Sequence, residues 1–166
     1  MTTNPKAYLA GPDIFRSDAP RFGEDLVRRC AEIGIDGIFP INPDELPPSQ
    51  VIYAEDIEML DGCDMMIANM EPFRGPSMDV GTAFEMGYAV RAGIPIFGYS
   101  SKAREPYSQR VATTVEANGR TVDDRGMAVE DFGLTDNLMV VVPLRSLHHT
   151  FDDACRAARA WWDERP

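Results

Sequence analysis

Asp64-Met65-Met66-Ile67-Ala68-Asn69-Met70 is the stretch that decides how this chain folds. Its apolar residues run nearly unbroken instead of alternating, which suits a strand covered on both faces in a parallel sheet. A helical pattern, Gln50 to Asp61, precedes it, and a second, apolar helix follows after the loop Glu71 to Ser77 and stops near Gly93. Further out the alternation repeats. Lys6 to Ala10 reads as a first strand ending at the turn signal Gly11-Pro12, and Arg21 to Ile33 as a helix with Phe22, Leu26, Val27, Cys30 and Ile33 at helical spacing. Gly37-Ile38-Phe39 is a short strand closed by Pro40, and the proline- and acid-rich Asn42 to Ser49 a loop. Ile94 to Tyr99 is a fourth strand, with Pro95 acceptable at a strand start or edge. Leu138 to Val142 is predicted as the last strand, His148-His149 as a polar turn, and Phe151 to Trp162 as a terminal helix with Trp161 and Trp162 turned inward. The polar segment 100–132 is predicted as a flap. Strands alternating with helices imply one α/β domain over residues 1–166 with a parallel sheet.

Composition narrows the function classes. The 166 residues carry 44% hydrophobic and 26% charged side chains, an ordinary globular balance. A formal net charge of -11 argues against a nucleic-acid backbone as partner, since phosphate binding needs clustered Lys and Arg. It leaves open a small nucleoside, which has no phosphate to repel. Cys30, Cys63 and Cys155 are widely spaced, with no CxxC or Cys/His cluster, and read as reduced structural residues with no metal. The N-terminus has no signal-peptide core and no apolar run is long enough to span a membrane, so the expectation is a cytoplasmic protein.

The chemistry concentrates at Glu85. It is the one charge in the eleven residues Val80 to Val90, on a helix whose apolar residues occupy more than one face. A carboxylate in such a place is disfavoured as an anion unless compensated, and perturbed carboxylates mark functional sites. A salt-bridged or solvent-facing helix residue fits the same local pattern. Gly81, four residues earlier, leaves the face N-terminal to Glu85 bare for a flat group, or for close packing. Asp79 at the helix start meets the helix dipole favourably; six residues from Glu85, about 600° of rotation, it lies off Glu85's face but at the helix mouth.

In a parallel sheet, ligands bind beyond the carboxyl ends of the strands. The Gly11-Pro12-Asp13-Ile14-Phe15 turn and the Glu71 to Pro76 loop with Arg74-Gly75 stand there. Neither contains GxGxxG or GxxxxGK[ST], which removes those cofactor mechanisms. Arg74 reads equally as a ligand-loop residue and as a solvated turn arginine. Tyr8 would normally be core, with a hydroxyl able to reach a carboxylate; Asp56, beside Glu55 and Glu58, reads from its pattern as a solvated acid.

The segments Tyr8-Leu9-Ala10-Gly11-Pro12, Cys63 to Ala68, Arg74-Gly75, Asp79-Val80-Gly81-Thr82-Ala83-Phe84-Glu85-Met86-Gly87 and Phe132 to Met139 together resemble the nucleoside 2-deoxyribosyltransferase family. The D-x-G-T-A-F-E-x-G block is the specific part. The resemblance implies a flavodoxin-like three-layer sandwich around a central parallel five-stranded sheet. It also implies transfer of 2-deoxyribose between nucleobases, acting on 2'-deoxynucleosides and free bases with no cofactor. It assigns Glu85 as nucleophile, Asp56 as the acid that manages the base's proton, Tyr8 as the hydrogen-bond partner of the nucleophile and Asp79 as an acid near the sugar hydroxyls. Gly11, Phe15, Arg74, Gly81 and Met139 fall among its substrate-binding positions, Phe15 as a wall of the base site. Asn137 matches a residue that reaches the neighbouring subunit's sugar, which implies a homo-oligomer (dimer, tetramer or hexamer).

Two other readings fit a chain of this kind. One is a hydrolase cleaving nucleosides or their 5'-monophosphates with water; Asp13 would repel such a phosphate, and Ser100-Ser101-Lys102 is a weak substitute cradle. The other is a non-catalytic nucleoside-binding module, which needs the pocket and no nucleophile.

Overall fold

The structure, a computed structural model, describes residues 4–41 and 47–165. In chain order the elements are β1 (Lys6–Ala10), a 3-10 turn (Pro12–Phe15), α1 (Ala19–Ala31), β2 (Asp36–Ile38), α2 (Ser49–Asp61), β3 (Met65–Asn69), α3 (Val80–Ala92), β4 (Ile96–Tyr99), a second 3-10 turn (Tyr107–Gln109), β5 (Thr114–Val115), β6 (Thr121–Val122), α4 (Leu138–Val141), β7 (Ser146–His148) and α5 (Phe151–Asp163). Five strands form one sheet in the order β2-β1-β3-β4-β7, every pairing parallel. β3 lies at its centre, and all five of its residues are buried.

Strand alternation sends successive side chains to opposite faces and so divides the core in two. Ala7, Leu9, Met65, Ile67 and Phe97 pack under α1 and α5, together with Leu26, Cys30, Phe151 and Cys155. Tyr8, Ala10, Met66, Ala68 and Ile96 pack on the other face, against Leu60 of α2 and Met86 and Ala89 of α3. A fully buried side chain of the Met65, Met66 or Ile67 class contributes roughly 1.5–3 kcal/mol of transfer free energy. Trp161 and Trp162 pack against the first cluster. Pro95 sits one residue before β4, where its carbonyl accepts from Met66 N at 2.9 Å.

Two expectations for the C-terminal third are corrected. Leu138–Val141 is a turn of helix, and the fifth strand of the sheet is Ser146–His148, paired with Phe97–Tyr99. The physical reasons are local. Asn137 caps the helix by accepting from Met139 N at 2.9 Å. Pro143 then bars the run from a ladder, and the exposed Met139 and Val142 are spaced as a helix spaces them. His148 therefore belongs to an edge strand, where its Nε2 lies 2.8 Å from Ser146 Oγ, and only His149 remains in the turn. Within 100–132, β5 and β6 form a separate two-stranded antiparallel ribbon. Of the predicted Asn42–Ser49 loop, residues 42–46 lie outside the described residues and Ser49 already begins α2.

Candidate active site

Strand order places the site. β1 and β3 are neighbours, and the chain leaves one toward β2 and the other toward β4, the switch point where parallel sheets bind ligands. Tyr8 on β1 faces α3 because alternation turns it away from Ala7 and Leu9. It is fully buried, and its hydroxyl donates to Glu85 Oε1 at 2.7 Å. A buried phenol needs such an acceptor.

Glu85 itself is half-buried on α3, between the buried Thr82, Met86 and Ala89 on one side and the exposed Phe84 on the other. Burial pushes its carboxyl up to about 7; the Tyr8 hydrogen bond pulls the other way, and the negative charges of Asp56 and Asp79 push further up. Near neutral pH both protonation states are therefore populated. Asp56, half-buried on α2, is also raised, by its own burial and then by Glu55. Burial and the Glu85 charge together hold the Tyr8 hydroxyl in its protonated, donating form.

Asp79 is the N-cap of α3. Its Oδ2 accepts from Thr82 N at 2.9 Å and Thr82 Oγ1 at 3.1 Å, and any Cβ at Gly81 would stand 3.1 Å from that oxygen. The approach to the cap is fixed by buried Asp136, 58 residues further along the chain than Met78. Its carboxylate accepts from Ser77 Oγ at 2.5 Å, Met78 N at 2.9 Å and Asn137 N at 2.7 Å. Arg110 stitches the same region, donating to Pro76 O at 2.8 Å and to Thr135 O.

The rim is built by the turns after β1 and β3. Gly11 passes so close to β3 that a Cβ there would lie 2.6 Å from Asn69 Cβ. Asn69 Nδ2 donates to Asp13 Oδ2 at 2.7 Å, and its Oδ1 accepts from Glu71 N at 3.0 Å, tying the two turns together. Above them the rings of Phe15 and Phe73 stack at 5.3 Å with a 10° interplanar angle. The Arg74 guanidinium lies over both, 5.0 and 4.6 Å from the centroids.

Glu85, Tyr8, Asp56, Asp79 and Gly81 are thus brought together, and Gly11, Phe15 and Arg74 form the adjoining rim. Asn137 and Met139 are not in this group: both are exposed on α4, and the Asn137 side chain caps its own helix. A cavity of about 350 Å³ opens beside Asn137, bounded by Ser77, Tyr107, Asp131, Phe132 and Asp136, and neither Met139 nor Glu85 lines it. Sequence reading did not single out Asn69, Phe73, Arg110 or Asp136. Asp136 had a signal, its place next to Asn137 in the Phe132–Met139 motif; the others acquire their roles only through contacts between segments distant in sequence. Among the described residues no three His, Cys, Asp or Glu side chains converge as metal ligands, and no helix is long and apolar enough to cross a membrane.

Fold and geometry together define a parallel α/β protein in which the acids Asp56, Asp79 and Glu85 gather beside Tyr8 near the β1/β3 switch point. The chain belongs to the nucleoside 2-deoxyribosyltransferase family, whose model matches residues 7–139. It is similar to a 2-desoxiribosyltransferase from Leishmania mexicana, with 26% identity, 94% of this chain and 97% of that chain covered, and a TM-score of 0.78. A 2-deoxyribosyltransferase from Bacillus psychrosaccharolyticus shares the fold at 18% identity, covering 93% of this chain and 95% of that one, with a TM-score of 0.58. An uncharacterised protein of Schizosaccharomyces pombe is 30% identical over 158 residues, 81% of this chain and 74% of the relative.

Proposed function

We propose that the protein transfers 2-deoxyribose between nucleobases through a covalent glycosyl-Glu85 intermediate. The observation that carries the reading is the Tyr8–Glu85 pair, 2.7 Å apart, with Asp56 close enough for its charge to act on both groups. A free Glu85 oxygen attacks the anomeric carbon of a 2'-deoxynucleoside. The N-glycosidic bond breaks with its electron pair going to the base, and Asp56, protonated, gives its proton to the departing base. The incoming base then attacks the same carbon, the ester breaks, and Asp56 recovers a proton from that base. Two displacements retain configuration. Tyr8 holds the second carboxylate oxygen of Glu85 and orients the first. No step requires a metal or an organic cofactor.

Asp79 supports a nucleoside over a 5'-monophosphate. Its carboxylate already takes the amide of Thr82 at the α3 N-terminus, the donor a phosphate would seek, and adds a negative charge there. The sugar hydroxyls are donors that Asp79 can accept from. Asn137 and Met139, turned outward on α4, suit a contribution to a neighbouring subunit in a homo-oligomer.

Acid quenching during turnover of 2'-deoxyinosine without an acceptor base, followed by peptide mass mapping, tests the intermediate. The expected result is a 2-deoxyribosyl adduct on the Glu85 peptide that disappears in Glu85→Ala. Exchange proceeding normally in Glu85→Ala would remove Glu85 as nucleophile.

A further inference from the structure

We propose that Arg74 is a specificity residue that reads the carbonyl oxygen at C6 of a 6-oxopurine, so that hypoxanthine and guanine are preferred over adenine. The inference rests on the transferase reading for where the base lies, and goes beyond it in naming the base. Arg74 is the one non-glycine residue at positive φ among the described residues, at 56°. A side chain in that region costs on the order of 1 kcal/mol, and such strain collects at ligand-facing positions. The strained residue sits in the turn after β3, one of the two turns that form the rim of the site.

Its exposed side chain is held by aromatic faces and not by an ion pair. The guanidinium is seated on the stacked Phe15 and Phe73 rings, and among the described residues it makes no salt bridge and no side-chain hydrogen bond. Arg16, the cation that follows the turn after β1, is by contrast engaged by Asp18 at 2.9 Å. A guanidinium seated on aromatic faces keeps its N–H edge free, and that edge donates only. A base presented to it must bring an acceptor. At C6, hypoxanthine and guanine present a carbonyl oxygen; adenine presents an amino group there, which sets donor against donor and leaves only its ring nitrogens as acceptors. The same contact aids departure of the base. As the N-glycosidic bond breaks, its electron pair spreads over the ring system onto the C6 oxygen, where a fixed cation stabilises it. Arg74 forms and breaks no covalent bond, and the proton still comes from Asp56.

Two variants test this. Arg74→Met keeps the length of the side chain without its donors, and Arg74→Gly relaxes the backbone at φ 56°. Binding of free hypoxanthine and of free adenine is measured by equilibrium dialysis for the wild type and both variants, and each base is then used as acceptor in exchange. Both variants should lose about tenfold in hypoxanthine affinity and in kcat/KM with hypoxanthine, while adenine changes by less than about twofold. An equal fall for the two bases, or none for either, would overturn the inference. If the wild type exchanges no base at all, the transferase reading fails, and the binding ratio still decides the role of Arg74.

Discussion

Glu85 is under two opposed pressures. Burial and the nearby acids favour its neutral form, and the Tyr8 hydroxyl favours the anion; burial is the larger, which leaves the group titrating at about 7. The nucleophile proposed above is the anion, so the kcat/KM of exchange is expected to fall about tenfold per pH unit below that value. An acid limb centred near 4.5, as for an exposed glutamate, would contradict the assignment. Stability carries the opposite sign. The folded-state value lies above that of an unfolded glutamate, so this group stabilises the fold most at low pH and loses that contribution as pH rises from about 4.5 to about 7. Glu85→Gln should therefore be the more stable protein at pH 8, by on the order of 2 kcal/mol, and no more stable at pH 4. Thermal unfolding at the two values checks it. Asp56→Asn should lower kcat far more than it raises KM; a change in KM alone would remove the proton-handling role. Glu85 was legible in the sequence because one carboxylate stands among apolar neighbours. Asp56 was not legible from its pattern, since Glu55 and Glu58 flank it and only the packing of α2 beside α3 determines which acid turns inward.

Among the elements, the sheet was readable where burial is two-sided and misread at its edge. The run of β3 announces a central strand, whereas the run Leu138–Val142 has the same β-branched composition and becomes a helix. Its cap and the following proline outweigh β propensity in so short a segment. The contacts of Asp136 join segments 58 and 59 residues apart, a pairing no local pattern reveals. Asp136→Ala would leave Met78 N and Asn137 N without their buried acceptor, at a cost of about 1–3 kcal/mol for each group left unsatisfied. The expected outcome is a melting temperature lower by several degrees together with a raised KM, because the Asp79 cap loses its support. A normal KM in a folded Asp136→Ala would show that the cap holds itself. Gly11→Ala should cost about 1–3 kcal/mol, since the new methyl falls 2.6 Å from Asn69 Cβ and the two turns must part.

At the scale of the whole molecule, α3 and α4 both carry large apolar side chains into solvent. Val80 is 84% exposed at the start of α3 and Met139 is 74% exposed on α4, beside Phe84 and Val142. Exposed apolar side chains on two touching helices suit the homo-oligomer proposed above. Met139→Glu is expected to shift sedimentation toward the single-chain mass and to reduce exchange, if Asn137 serves a neighbour's sugar site; full activity in a monomeric variant would make that site self-sufficient. The central claim concerns the reaction itself. Its most direct test is chromatography of 2'-deoxyinosine incubated with the protein, with and without added adenine. The account predicts 2'-deoxyadenosine, formed only when adenine is present. Hypoxanthine released at the same rate with or without adenine, and no 2'-deoxyadenosine, would contradict it and identify a hydrolase.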